Sequence, residues 1–298
     1  MKLGMGLPQY GSAMGSATDL CRFATHIEEM GYDSLWAGDR LFSPLTIHSY
    51  PPGGNDDFWA AYLETLSAFG DPFPVIAAAA AVTTRIRFNI GTLNAPLYQP
   101  IHLARTLTTL DVLCDGRLDV GLGLGWMRDE YDALRLPWSS RGQRLDDILS
   151  FLHIWWTANP VEYESPFISV PPTRVDLRPI QPGGPPIFLG GSSPAALARV
   201  GQRARGWIGF DTLPEDTVTS LWSTARRAAE ESGRDPDALK KVVRVNGVQG
   251  ESLRQLADRL TRLAEQDTDE VVVDFAFTYS TIDERLDAAD RLKHMAAW

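Results

Sequence analysis

The chain has 298 residues, 44% of them apolar, with 28 basic and 38 acidic side chains for a net charge of −10 and no block of one sign. That balance excludes a basic stripe for phosphate neutralisation and so argues against nucleic acid as a partner. The longest apolar run, Val75 to Val82, is too short for a bilayer span, and Cys21 and Cys114 stand far apart outside any C-x-x-C pair, which sets aside a disulfide framework or thiolate zinc site.

Met1 to Pro8 lacks a secretory apolar region and cleavage site and enters a strand directly, so a cytoplasmic protein is expected. Lys2 to Leu7 reads as that strand. Asp19 to Met30 reads as a helix, with Leu20, Phe23, Ala24 and Ile27 on one face and Gly31 closing it. Asp33 to Gly38 is a second strand. Asp39 to Asp71, holding Pro44, Pro51, Pro52, Gly53 and Gly54, is an irregular insertion. Asp71-Pro72 opens a helix to about Val82, with proline where its missing N–H costs nothing. Strand Ile86 to Leu93, helix Pro100 to Leu113, strand Arg117 to Gly123 and helix Gln143 to Trp156 follow. Val161 to Asp176 is extended and proline-broken, an excursion from the main body. Alternation then resumes with strands Pro186 to Gly190, Gly206 to Phe210, Val242 to Gln249 and Glu270 to Phe275. Their helices are Pro194 to Ala204, Pro214 to Ser232, Leu253 to Gln266 and Thr281 to Met295.

Strands that alternate with helices imply parallel pairing through crossovers. Eight such units fit an α/β fold of the (β/α)8 TIM-barrel type better than an open doubly wound sheet. Residues 1–298 are expected to form one barrel domain with insertions after strand two and before strand five.

In such a barrel the chemistry lies where strands end and feed helices. Those ends are Pro8 and Gln9, Asp39 and Arg40, Thr92 to Asn94, Gly123 to Trp126, Gly190 to Ser193, Phe210 and Asp211, Gln249 and Gly250, and Phe275 to Phe277. The Asp39 to Asp71 insertion is expected to form a lid over the same mouth. Gly121-Leu122-Gly123-Leu124-Gly125 resembles a phosphate loop, but a dinucleotide fingerprint would need glycine where Trp126 stands. The alternative is that these glycines let a strand bend and pack closely. Trp126, at a strand end beside glycines, is placed to wall a flat cofactor. Gly190-Gly191-Ser192-Ser193-Pro194 joins a strand end to a helix start and offers either an anion site or a plain serine cap. The five histidines show no metal-ligand spacing, so no metal site is expected. Serine-hydrolase and P-loop motifs are missing.

Gly31-Tyr32-Asp33-Ser34-Leu35-Trp36-Ala37-Gly38-Asp39 resembles the second-strand signature of luciferase-like monooxygenases, and Ala81 to Thr92 resembles the approach to their third strand. Leu110 to Leu118, then Gly121 to Trp126 with Glu130, is similar to the family's "LD-x-LS-x-GR, then G-x-G-x-GW" block. Gly184 to Gly191, followed by Arg205-Gly206-Trp207, is similar to its fifth and sixth strands. The compact form most resembles the branch that uses the deazaflavin coenzyme F-420. The resemblance implies a cofactor over the barrel mouth and a bulged third strand, often with a non-proline cis peptide, around Thr92, Leu93 and Asn94. It places the cofactor against those residues, Gly123, Gly125 and Trp126, and its tail phosphate near Gly125-Trp126 and Gly190-Gly191-Ser192-Ser193. It also implies a homodimer acting on a small-molecule substrate.

Three departures from the family pattern stand out. Arg40 occupies the place where many relatives carry histidine, and a guanidinium cannot relay protons. Cys114 replaces a usual serine, and Arg205 a usual aspartate. Arg40, Asp39 and Glu130 are the expected catalytic residues, with Arg141 secondary. Hydride transfer with F-420 is the expected chemistry, Arg40 binding an anionic group or stabilising developing negative charge. The alternatives are an FMN-dependent monooxygenase and a barrel that has lost its cofactor and keeps a binding role.

Overall fold

The computed structural model describes residues 1–46 and 62–295, and the middle of the expected lid, 47–61, lies outside the described residues. The strands are β1 (Lys2–Gly6), β2 (Ser34–Ala37), β3 (Arg87–Ile90), β4 (Leu93–Asn94), β5 (Val120–Gly123), β6 (Val161–Glu164), β7 (Ser169–Thr173), β8 (Ile187–Gly190), β9 (Gly206–Phe210), β10 (Lys240–Asn246) and β11 (Glu270–Asp274). The helices are α1 (Ala17–Glu29), α2 (Pro72–Ala80), α3 (Pro100–Leu113), α4 (Arg128–Ala133), α5 (Arg141–Thr157), α6 (Pro194–Arg203), α7 (Glu215–Glu231), α8 (Leu253–Glu265) and α9 (Ile282–Met295).

Nine strands pair in the order β3-β2-β1-β11-β10-β9-β8-β5-β4, every pair parallel. Phe88 N donates to Arg117 O at 2.9 Å and Asp119 N to Phe88 O at 2.7 Å, which brings β3 round to the strand leading into β5 and closes the ring. This is the expected (β/α)8 barrel, with β3 and β4 as two halves of one strand position. The single strand expected over Ile86 to Leu93 is therefore corrected. It breaks at a cis Gly91–Thr92 bond, where Gly91 crosses the Trp36 indole so closely that a Cβ would stand 2.5 Å from Cε3. The excursion before barrel strand five is the antiparallel hairpin of β6 and β7.

Local signals set the helix starts. Ser16 and Asp19 form a reciprocal capping box at α1, Ser252 and Gln255 another at α8, and the Asp71 side chain accepts the Phe73 amide ahead of Pro72. One helix, α4, was not expected, because six residues are too few to show a periodic face. Among the described residues no helix is long and apolar enough to cross a membrane.

The strand period of two sorts β10 into two faces. Val243 and Val245 join the core under the helices, while Val242 packs inside the barrel with Trp36, Phe188, Ile208 and Val272. Arg244 and Asn246 continue that inner row to the mouth. Glycines opposite the large inner side chains make the packing possible: a Cβ on Gly121 would stand 2.5 Å from Ile208 Cδ1, and one on Gly206 2.8 Å from the Phe188 ring.

Candidate active site

The break in strand three sets the shape of one side of the mouth. Asn94 N donates to Asp39 Oδ2 at 2.7 Å, and the Tyr98 hydroxyl donates to Asp39 Oδ1 at 2.8 Å. Both oxygens of this buried carboxylate are thus engaged by the segment that follows the break. Burial pushes the Asp39 carboxyl up to about 6, against the lowering effect of those two hydrogen bonds.

Thr92 is the hub of the expected glycine positions. A Cβ on Gly123 would stand 2.6 Å from Thr92 Oγ1, and one on Gly190 3.0 Å from Thr92 Cγ2. Gly125 adopts φ +70°, and a Cβ there would meet Asn94 Cγ at 3.1 Å. Gly123, Gly125 and Gly190 therefore pack on Thr92 and Asn94, as the close-packing alternative expected of the Gly121 to Gly125 stretch. Leu93 is fully buried beneath them.

Arg40 follows Asp39 and turns toward the β5 end. Its guanidinium lies 4.7 Å from the centroid of the Trp126 ring and donates from Nη1 to Met127 Sδ at 3.2 Å. Glu130 on α4, with no exposed surface, accepts the Leu41 amide at 2.8 Å and stands 3.8 Å from Arg40 Nη1. Its second oxygen has no hydrogen-bond partner. Burial raises its pKa, with Arg40 the main opposing influence.

Three further residues meet at the mouth that sequence reasoning missed. Tyr10 donates to Asp274 Oδ2 at 2.5 Å, and Arg244 Nη2 donates to the same oxygen at 3.2 Å. Arg244 Nη1 also donates to the Gly91 carbonyl, which ties β10 to the break in strand three. Burial first, and the adjacent Asp274 second, push the Tyr10 phenol well above its ordinary value. A Cβ on Gly6 would stand 2.9 Å from Asp274 Cγ, so this glycine makes room for the carboxylate. The cavity above, of about 120 Å3, is walled by Tyr10 and Arg244 with Arg40, Trp126, Phe210 and Phe277. Tyr62, Leu66 and Phe69, on the returning arm of the insertion, also line it. The available signal was Arg244, the one charged residue within the expected strand Val242 to Gln249.

At the start of α6, Ser193 accepts the Ala196 amide at 3.2 Å and is thus a serine cap. Gly191, at φ +119°, Ser192 and Ser193 are exposed, and the Gly191 carbonyl accepts Trp207 Nε1 at 2.9 Å. Three residues singled out in the sequence lie away from the mouth cavity. Arg141 packs on the Trp138 ring, 3.8 Å from its centroid. Cys114 is fully buried, and burial pushes its thiol up to about 12. Arg205 lines a separate cavity with Lys2, Arg87 and Lys240, around the starts of the strands.

The model of the luciferase-like monooxygenase family matches residues 1–297. An uncharacterised protein of Mycobacterium tuberculosis is 29% identical over 274 residues, covering 91% of this chain and 90% of its own length. A monooxygenase from Streptomyces bottropensis superposes with a TM-score of 0.78 at 18% identity, covering 99% of this chain and 97% of its own. The coenzyme F-420-dependent tetrahydromethanopterin reductase from Methanopyrus kandleri superposes at 0.74 and 15% identity, covering 98% of each chain. These two structural likenesses carry the fold.

Proposed function

The chain belongs to the luciferase-like monooxygenase family, and we propose on that premise that it is an oxidoreductase moving hydride between coenzyme F-420 and a small organic substrate at the barrel mouth. The observation that carries this reading is Arg40, a cation fixed between the Trp126 ring, Met127 and Glu130 at the wall of the cavity. Such a group stabilises negative charge that develops in a reaction without having to reorganise. The residues around the mouth fit a flat cofactor with a phosphate tail. Thr92 and Asn94 line the cavity and Trp126 supplies a wall, with Gly123, Gly125 and Gly190 packed against Thr92 and Asn94. Gly191, Ser192 and the start of α6 offer backbone N–H groups to a phosphate.

When bound, the deazaflavin supplies the hydride-carrying carbon. The protein positions, dries and charges the site. Asp39 is a positioning residue, because its oxygens hold Asn94 and Tyr98 in place. Glu130 positions Arg40 and the Leu41 amide. Anaerobic incubation with reduced F-420 and a panel of carbonyl and activated-alkene compounds tests this reading through the return of oxidised-cofactor absorbance. Turnover by the wild type is expected, with kcat lowered about tenfold or more by Arg40→Gln. A second reading, an FMN-dependent monooxygenase, is favoured by Tyr62, Leu66 and Phe69, which bring the returning arm of the insertion to the mouth as a water-excluding cover would. Product formed only with reduced FMN and oxygen would select it.

A further inference from the structure

The inner face of β10 brings a second guanidinium to the mouth, which the proposed function does not use. Arg244 donates to the Gly91 carbonyl from Nη1 and to Asp274 Oδ2 from Nη2, at 3.2 Å for the latter, and lies 5.9 Å from the Phe210 ring centroid. Two of its five N–H groups are thereby fixed, and they fix the plane of the guanidinium. The other three have no protein partner among the described residues, while 18% of the side chain stays open and the residue lines the mouth cavity. A guanidinium held this way presents parallel N–H groups that match the two oxygens of a carboxylate.

The neighbouring acid does not cancel this charge. Asp274 is 3% exposed. Its Oδ1 accepts the Ala276 amide at 3.0 Å, and its Oδ2 is shared by Tyr10 and Arg244. It also acts on the buried guanidinium of Arg285. One carboxylate is thus shared between the Tyr10 phenol and Arg244 and also faces Arg285, so Asp274 engages a single N–H group of Arg244.

The surrounding walls are flat. Tyr10 and Phe69 stack with centroids 4.7 Å apart and planes 3° from parallel, and Tyr62 and Phe277 stack at 5.2 Å and 10°. The two stacks are inclined to each other, the Tyr10 and Phe277 planes lying 54° apart, and a fixed cation beside flat ring faces recognises a planar molecule with one anionic end.

We infer that Arg244 is the substrate anchor of the mouth and that the substrate is a planar conjugated carboxylate, its carboxylate held by Arg244 and its ring packed between the aromatic walls. The inference rests on the mouth being the active site and is independent of which cofactor is used.

Calorimetric titration of the full chain with benzoate, and with benzamide as the neutral isostere, tests it. F-420 is titrated in parallel, and thermal melting checks that each variant is folded. Wild-type protein is expected to bind benzoate about tenfold or more tighter than benzamide, with only the benzoate affinity falling as salt rises. Arg244→Gln is expected to abolish that preference while F-420 affinity stays within about threefold. Arg244→Lys keeps the charge but not the paired N–H groups, so it should retain part of the preference. Arg205→Gln, at the opposite face, should retain all of it. Equal binding of benzoate and benzamide by the wild type overturns the inference. So does a preference that survives Arg244→Gln. Loss of F-420 affinity in step with benzoate would assign Arg244 to the cofactor and also overturn it. Benzoate held through Arg244 in a protein that binds no F-420 would leave the anchor standing and sink the deazaflavin reading alone.

Discussion

Asp39 and Asn94 hold each other through both side chain and backbone. The Asn94 amide donates to Asp39 Oδ2 at 2.7 Å, and Asn94 Nδ2 donates to the Asp39 carbonyl at 3.4 Å. The residue after β2 is in this way joined to the second half of strand three, on the far side of the Gly91–Thr92 break. Asp39 therefore acts on the site through Asn94.

The burial of Asp39 sets a pH dependence, against which this pairing works. Burial raises Asp39 to about 6 in the folded protein, against about 3.9 in an unfolded chain. A raised folded value means that its stability contribution is complete below about pH 4 and is lost as pH rises through about 6. The stability of wild type relative to Asp39→Asn should accordingly fall across that window, by about 3 kcal/mol, and level off above it. Urea denaturation of both proteins at a series of pH values measures the difference. A flat difference would contradict a buried, titrating Asp39.

Gly125 and Gly233 separate backbone strain from crowding at the site. Both have positive φ, +70° and +76°, but a Cβ on Gly125 meets Asn94 at 3.1 Å whereas one on Gly233 meets nothing within 4 Å. Alanine at either position should lower stability by roughly 1 kcal/mol. Only Gly125→Ala should also weaken cofactor binding, by about tenfold, because Asn94 must move. Melting temperatures and cofactor titrations of the two variants make the comparison.

Thr92 and Gly123 should show reciprocal rescue. A side chain at Gly123 would collide with Thr92 Oγ1 at 2.6 Å, so Gly123→Ala should cost about 1–3 kcal/mol by overpacking. Adding Thr92→Ala removes that oxygen and should recover roughly half of the loss. Simple additivity of the two substitutions in a denaturation cycle would contradict the contact.

Arg40 and Glu130 form a pair with almost no access to solvent, 6% and 0% for the two side chains. Arg40→Met leaves the Glu130 charge buried without its main counterion and should destabilise by about 3 kcal/mol. The loss should shrink as the pH is lowered, since burial already favours the neutral carboxyl. Arg40→Met combined with Glu130→Gln should be more stable than Arg40→Met alone at neutral pH, which equilibrium unfolding would establish.

The barrel was legible because its signals are local. The Pro100 to Leu113 helix begins at a proline and stops before a glycine turn, and the Gly206 to Phe210 strand is a short apolar run with its first four residues buried. Parts of the family signature are explained by support. Arg117, for example, donates to the carbonyls of Cys114, Ile86, Ala80 and Thr83, so it ties the start of strand four to the end of strand two's crossover helix and the following turn. The glycines of the mouth were legible as strand ends, but not the fact that Thr92 gathers two of them. Arg244, Asp274 and Tyr10 were missed for a common physical reason. Alternation separates the two faces of β10 without saying which one faces the barrel interior, and only closure brings Tyr10 and Arg244, from two distant segments, to the Asp274 carboxylate. The break in strand three was expected from the resemblance alone, and the close approach of Gly91 to the Trp36 ring there is a contact between strands.

The most direct test of the central claim is parallel titration of the purified protein with oxidised F-420 and with FMN, followed by quenching of tryptophan fluorescence. Trp126 at the mouth provides an indole beside the proposed ring site. Saturable F-420 binding, about tenfold or more tighter than FMN and weakened by Gly125→Ala, is the predicted result. Tighter FMN binding would contradict the deazaflavin assignment and point to oxygen chemistry, and binding of neither would leave the barrel without the cofactor on which the proposed reaction depends.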